Sequence, residues 1–223
     1  MKEIFFAVLF LMCGNRSHSC PLIHDGGDGG AAGRAGQGGF FSPAAVLKKS
    51  TFAVGFEPQY FFDADYEYGF FGHLRYGILP RLELNSMIGV YNAKLYTGFG
   101  GSYQAVYARE GIPGLTFRAN YFFNDDEMFG CENGCGIDAD MILGQSTGGT
   151  SWYGGLNIIL RKTYIRKYDP NPARTDAQYE YNLIGGVHYL MIEWVGLSAE
   201  FGVNVNDKKT SRFSAGTTFY FGK

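Results

Sequence analysis

The most regular feature of the chain is an alternation of apolar and polar side chains that begins near residue 51. In the segment LELNSMIGVY, Leu82, Leu84, Ile88 and Val90 alternate with Glu, Asn, Met and Gly. Successive side chains of a β-strand point to opposite faces, so the pattern predicts a strand between two different environments. A soluble barrel turns the apolar face inward and a membrane barrel turns it outward, and the two orientations imply different functions.

The same alternation recurs along the rest of the chain and predicts about ten strands, with eight as the alternative count. They are predicted at residues 51–62, 67–78, 82–91, 94–107, 115–123, 138–147, 151–162, 178–191, 196–206 and 213–221. The sixth is the least regular, because MIL at 141–143 is a continuous apolar run. The predicted fold class is all-β, an antiparallel up-and-down barrel.

The composition favours an outward apolar face. Glycine is very frequent, at 33 residues, and it is concentrated with Ser, Thr, Asn, Glu and Arg on the face opposite the apolar one. Glycine weakens a strand and covers nothing on a face that meets water. In a narrow barrel interior, small residues leave space for Arg and Glu. The pattern therefore favours a transmembrane barrel over the alternative, a soluble exported barrel that binds an apolar ligand inside.

The predicted connections differ in length between the two ends of the barrel. If the first strand starts on the periplasmic side, the two longest connections, 124–137 and 163–177, both fall at the outer end. Residues 79–81 and 148–150 form short turns at the other end. Short periplasmic turns with longer external loops are typical of bacterial outer-membrane barrels.

Aromatic strand ends complete a resemblance to the outer-membrane β-barrels of Gram-negative bacteria over residues 50–221. Tyr-Phe-Phe at 60–62 and at 121–123 fits the aromatic girdles of such barrels. The chain ends in TTFYFGK, and the terminal strand of that family often ends in Phe, although Gly222 and Lys223 follow Phe221 here. The resemblance implies an outer-membrane location, contacts with lipid and lipopolysaccharide, insertion by the barrel-assembly machinery and a monomer. It identifies no subfamily.

The first 49 residues differ in composition from the predicted barrel, 50–223. Lys2 followed by the apolar run 4–12 predicts a secretory or lipoprotein-like signal peptide over residues 1–19. Cys13 and Cys20 are candidates for lipidation, and the alternative is ordinary cleavage after Ser-His-Ser. Residues 20–49 contain a glycine-rich stretch and are predicted to be a flexible linker.

Seven charged side chains share the predicted interior by parity. A barrel of about ten strands should be mostly filled by side chains, because wide aqueous channels need about sixteen strands. We therefore predict a paired network that plugs the lumen, with a narrow pore for small solutes as the alternative. His73 and His188 also point inward and are expected to be hydrogen-bonded members of the network. The seven are Glu57, Arg75, Glu83, Arg118, Arg161, Glu180 and Glu200.

Little else in the sequence points to specific chemistry. The net charge of −2 gives no reason to expect nucleic acid as a partner. Cys131 and Cys135, in a predicted external loop, should form a disulfide after export, since two further ligands for a metal site are missing. No catalytic arrangement, cofactor or metal site is predicted. The expected function is a structural, adhesive or binding role in the outer membrane.

Overall fold

The computed structural model describes residues 45–62, 67–91, 94–125, 132–165, 174–206 and 211–222. Each strand pairs antiparallel with its neighbours in sequence, and the first pairs with the last, which closes the barrel. The predicted antiparallel up-and-down barrel is confirmed, with ten strands rather than eight. The strands are β1 (Phe52–Phe61), β2 (Glu67–Leu79), β3 (Leu82–Tyr91), β4 (Lys94–Val106), β5 (Gly114–Asp125), β6 (Glu132–Thr147), β7 (Thr150–Ile165), β8 (Arg174–Ile192), β9 (Val195–Asn204) and β10 (Arg212–Phe221).

Three of the four connections at one end of the barrel, which we call the short-turn end, are tight two-residue turns. Pro80 and Arg81 connect β2 to β3, and two residues connect β8 to β9. Gly148 and Gly149 connect β6 to β7 with φ values of 57° and 86°. Two consecutive positive φ values are typical of a type I′ two-residue hairpin, and glycine adopts them without a steric penalty.

The opposite end, which we call the outer end, differs from the sequence prediction. β6 begins six residues before position 138, and β7 and β8 continue into the predicted loop 163–177. The backbone ladder persists there, since Glu132 pairs with Ile165 and Thr163 with Asp176. The alternation of apolar and polar residues fades in these segments although the strands continue. Predictions based on alternation therefore ended the strands too early.

The exposure of the side chains shows that the apolar face of the strands is on the outside of the barrel. Leu84, Phe117 and Phe201 are 49%, 44% and 43% exposed, whereas Arg118 and Glu200 are 6% and 1% exposed. Large exposed apolar side chains occur on every one of the ten strands. This is the opposite of what a soluble barrel with an apolar ligand site requires. Among the described residues, no helix is long and apolar enough to cross a membrane.

The irregular sixth strand has a simple explanation in the packing. Met141 and Leu143 are exposed on the outside, but Ile142 between them is fully buried. Ile142 packs inside the barrel with Tyr153 and Ile184. The continuous apolar run in β6 arises because one of its inward positions joins an apolar cluster in the lumen.

Candidate functional site

The barrel interior contains the charged residues that the sequence placed there, and all seven are buried. Arg75 makes two hydrogen bonds to Glu83, from Nε to Oε1 at 2.9 Å and from Nη2 to Oε2 at 2.7 Å. Arg161 and Glu180 form a second ion pair, with Nη2 3.2 Å from Oε1. Charged pairs of this kind offset part of the cost of removing each charge from water.

Two of the remaining interior charges, Arg118 and Glu200, meet partners that were not predicted from the sequence. The carboxylate of Asp140 accepts a hydrogen bond of 2.7 Å from Nε of Arg118. Arg212 lies 3.3 Å from Oε1 of Glu200. Parity within β6 and a one-residue extension of the tenth strand would have placed Asp140 and Arg212 in the lumen, so the signal was present.

Amide side chains connect the acidic groups in the middle of the lumen. Nδ2 of Asn157 donates to both Asp138 and Asp140, and the second of these bonds is 2.9 Å long. Nδ2 of Asn182 donates in turn to Oδ1 of Asn157 at 2.8 Å. Asn157 is fully buried, so its hydrogen bonds have no competition from bulk water. These bonds tie β6, β7 and β8 together across the interior.

A second polar group surrounds Glu200 and spans several strands. The hydroxyl of Tyr153 on β7 donates to Oε2 of Glu200 at 2.8 Å, while Arg212 on β10 pairs with the other carboxylate oxygen. Both oxygens of this fully buried carboxylate are therefore engaged. Such contacts fix the lumen side chains in one arrangement.

Both inward histidines lie close to polar side chains in the lumen. Nδ1 of His188 is 2.8 Å from Oγ of Ser198, and its Nε2 is 3.0 Å from the hydroxyl of Tyr220. Nε2 of His73 lies 2.9 Å from Oε2 of Glu57. His188 uses both ring nitrogens within the protein, which is the arrangement expected of a network member.

A cluster of aromatic rings lies in the lumen toward the outer end. Phe61, Phe71, Tyr91 and Tyr96 form one buried cluster. Within the aromatic segment 60–62, Phe62 is exposed on the outside, as its place on the apolar face predicted, whereas Phe61 is buried. Alternation requires this, since neighbouring residues of a strand face opposite sides.

Phe122, in the second Tyr-Phe-Phe segment, is also buried, whereas Phe123 is exposed. The ring of Phe122 lies against Gly136, the cross-strand partner of Phe122 on β6. The ring of Tyr153 lies against its partner Gly186 in the same way. At these two positions an interior glycine makes space for an aromatic ring, whereas Gly202 lies against the side chain of Arg212.

The segment before β1 packs against the barrel at the short-turn end. Leu47 is buried, and its backbone N–H donates to Oε2 of Glu83 at 2.8 Å. The backbone N–H of Ser50 donates to the carbonyl of Gly77 at 2.7 Å, and the carbonyls of Leu47 and Lys48 occupy the space that a side chain on Gly77 would need. Residues 45–50, the end of the predicted linker and the start of the predicted barrel, are thus held against the barrel.

The cysteine predictions fall largely outside the described residues. Cys13, Cys20 and Cys131 lie in ranges that the structure does not describe, and Cys135 lies within β6, where it pairs with Phe123. The Cys131–Cys135 disulfide and the lipidation therefore remain predictions. Within the described ranges, no group of three or more His, Cys, Asp and Glu side chains is arranged to hold a metal ion.

Solved structures with a similar fold include transmembrane barrels. The translocator domain of the autotransporter NalP from Neisseria meningitidis matches at 8% identity with a TM-score of 0.47, over 79% of this chain and 90% of that chain. The N-terminal β-barrel domain of OprF from Pseudomonas aeruginosa matches at 13% identity with a TM-score of 0.38, over 78% and 100%. A de novo designed transmembrane β-barrel matches at 13% identity with a TM-score of 0.41, over 79% and 99%.

Comparison of the amino-acid sequence with known families and proteins identified no relative. Neither a protein-family model nor a curated protein sequence matches the chain. The predicted resemblance to outer-membrane β-barrels is confirmed for the fold: a closed antiparallel barrel with an apolar exterior. No subfamily is identified.

Proposed function

We propose that the chain is an integral protein of the bacterial outer membrane with a structural, adhesive or binding role, and that its own side chains plug its lumen. The observation that carries this proposal is the distribution of side chains across the barrel wall. Apolar residues on all ten strands are exposed on the outside, and the charged residues are buried inside. Only an apolar surrounding stabilises that arrangement.

The backbone supports the same location. A closed barrel pairs the N–H and C=O groups of each strand with its two neighbours, which is one of two ways to cross a hydrocarbon layer. A tilted transmembrane strand needs about 9–11 residues. The shortest strands here have 10 residues, so each strand is long enough to cross.

Three layers of side chains and backbone support a plugged lumen. The aromatic cluster lies toward the outer end, the ion pairs and amide network lie in the middle, and the Leu47 segment lies at the short-turn end. A barrel that is filled in this way is suited to anchoring and display, not to the free passage of solutes.

The outer end supports a role in binding or adhesion. β6 and β7 have 16 residues each and β8 has 19, whereas β1 has 10. A crossing needs only about 9–11 residues, so these three strands continue beyond the membrane as a small sheet. If the short-turn end faces the periplasm, this sheet extends from the cell surface, where a partner can reach it.

Fractionation and gel mobility test the location. We expect the protein in the outer-membrane fraction, extracted only with detergent, with a faster-migrating folded band that disappears on boiling. Recovery of folded protein in buffer alone would contradict membrane insertion. The plug is tested separately in a planar bilayer, where the folded protein should give no steady conductance.

A narrow cation pore is the second candidate, and the charge balance of the lumen favours it. The buried interior residues that are described include six carboxylates and four guanidinium groups. An excess of negative charge attracts cations into a narrow passage. Steady conductance with a reversal potential that shows cation selectivity would contradict the plugged lumen and support this pore. The six are Glu57, Glu83, Asp138, Asp140, Glu180 and Glu200, and the four are Arg75, Arg118, Arg161 and Arg212.

A further inference from the structure

The turn between β2 and β3 holds one arginine against the outside of the barrel wall. The guanidinium carbon of Arg81 lies 4.6 Å from the ring centroid of Tyr107. Nη1 of Arg81 also donates to the backbone carbonyl of Ala105, at 3.4 Å. The hydroxyl of Tyr107 donates to the carbonyl of Pro80 at 3.1 Å, which ties the ring to the same turn. Each of the two side chains therefore bonds to the backbone close to the other residue: Arg81 to Ala105, and Tyr107 to Pro80.

This arginine lies where the apolar exterior meets the polar rim. Leu79 and Val106, beside the turn, are exposed apolar residues of the outer wall. Tyr103, near the end of β4, and Tyr107, just beyond it, are also exposed. Tyrosine prefers the level of lipid headgroups because its ring is apolar and its hydroxyl is polar. The guanidinium is therefore held at headgroup depth.

The chemistry of the group matches a phosphate. A guanidinium has five N–H donors in one plane, and contact of its face with an aromatic ring leaves those in-plane donors available. One donor contacts Ala105, and the residue as a whole is exposed. Two parallel hydrogen bonds from arginine to a phosphate are stronger and more directional than those of an exposed lysine.

We propose that Arg81, Tyr103 and Tyr107 form a binding site for the phosphodiester of a glycerophospholipid in the leaflet at the short-turn end. This site rests on the proposed function, because it requires the barrel to span a membrane with that end toward the periplasm. The ring holds the guanidinium level with the headgroup, the guanidinium binds the phosphate, and the neighbouring apolar wall contacts the acyl chains.

The next turn at the same end offers a matched control. Arg109 lies in the connection between β4 and β5 and is also exposed. Its backbone pairs with Ile112, and its carbonyl accepts a hydrogen bond from Gln145 at 2.8 Å. The structure describes no aromatic ring beneath its side chain. Arg109 therefore carries the same charge at the same rim without the aromatic support.

The test is lipid retention by the folded barrel in dodecyl maltoside, measured by native mass spectrometry during titration with phosphatidylglycerol. We expect Arg81→Gln to bind the lipid about tenfold more weakly, because it loses a charge-assisted pair of hydrogen bonds. Arg109→Gln should bind within about twofold of the unaltered protein, since a rim charge without a formed site contributes little. Tyr107→Leu should weaken binding as well, because the guanidinium loses its support.

Unchanged binding by Arg81→Gln, or an equal loss in Arg109→Gln, would overturn the site. Tighter binding of lipid A than of phosphatidylglycerol in an Arg81-dependent manner would also overturn it, because lipid A belongs to the opposite leaflet. Flotation of each protein with phosphatidylglycerol-containing vesicles separates the two proposals. If the unaltered protein fails to insert, the proposed function fails. If all variants insert and bind lipid alike, only the site fails.

Discussion

Phe71 of β2 and Gly89 of β3 are direct cross-strand partners, and the Phe71 ring occupies the space that a side chain at position 89 would need. The ring is fully buried in the cluster with Phe61, Tyr91 and Tyr96. This contact explains why an inward position of β3 carries glycine, although glycine weakens a strand. At this point in the lumen, a glycine on one strand faces a large ring on the next.

Substitution of this glycine should disturb the cluster. Gly89→Val would force the Phe71 ring to move, and overpacking of this kind typically costs about 1–3 kcal/mol. We expect a lower free energy of unfolding, measured by guanidinium titration of the barrel in detergent micelles.

Gly72→Ala is the matched control for that experiment, because its nearest neighbour would be the carbonyl of Ile88 at 3.7 Å, an ordinary van der Waals distance. The alanine variant should unfold within about 0.5 kcal/mol of the unaltered protein. A Gly89→Val barrel as stable as the alanine control would show that the ring is not tightly packed.

The Arg118–Asp140 pair should be strongly coupled. Arg118→Met removes the cation and leaves Asp140 with Asp138 nearby, both buried, and breaking a buried pair costs about 3–5 kcal/mol. Asp140→Leu should be costly for the converse reason. The double variant should lose much less stability than the sum of the two single losses, in a double-mutant cycle of unfolding free energies. Additive losses would show that the two side chains act independently.

Release of the N-terminal segment should follow the loss of Glu83. Glu83→Gln weakens the acceptor that holds the N–H of Leu47, so Lys48 and Lys49 beside it should become easier to cleave. We expect trypsin to cut there several-fold faster, as measured by intact-mass spectrometry of folded protein. Glu180→Gln, on β8, is the control and should leave the cleavage rate unchanged. Equal rates in both variants would mean that Glu83 does not hold the segment.

A charged substitution on the lipid-facing wall should destabilise the barrel more, the deeper the position lies in the bilayer. Phe201 projects from within β9, and Phe201→Arg should destabilise the barrel by about 2–4 kcal/mol if that position lies near the middle of the bilayer. Val205, exposed just beyond the end of β9, should tolerate arginine with a loss of about 0–1 kcal/mol. Unfolding from phosphatidylcholine vesicles measures both. Equal losses would mean that the two positions lie at the same depth.

Much of the fold could be predicted from the alternation of apolar and polar residues along the chain. Leu84, Ile88 and Val90 of β3 are exposed and Glu83 is buried, as parity within a strand requires. Strand ends were less predictable. β8 continues to Arg174 because its backbone pairs with β7, and backbone pairing leaves no trace in the order of side chains.

The sequence by itself determined which face each residue occupies, because a strand repeats every two residues whatever its neighbours are. Only the tertiary structure decided which charges meet. Arg118 pairs with Asp140 directly across the strands, whereas Arg75 lies opposite Asn85 but reaches diagonally to Glu83. Partner choice depends on the register between strands and on the tilt of the closed barrel, and these are set by all ten strands together and not by any one segment.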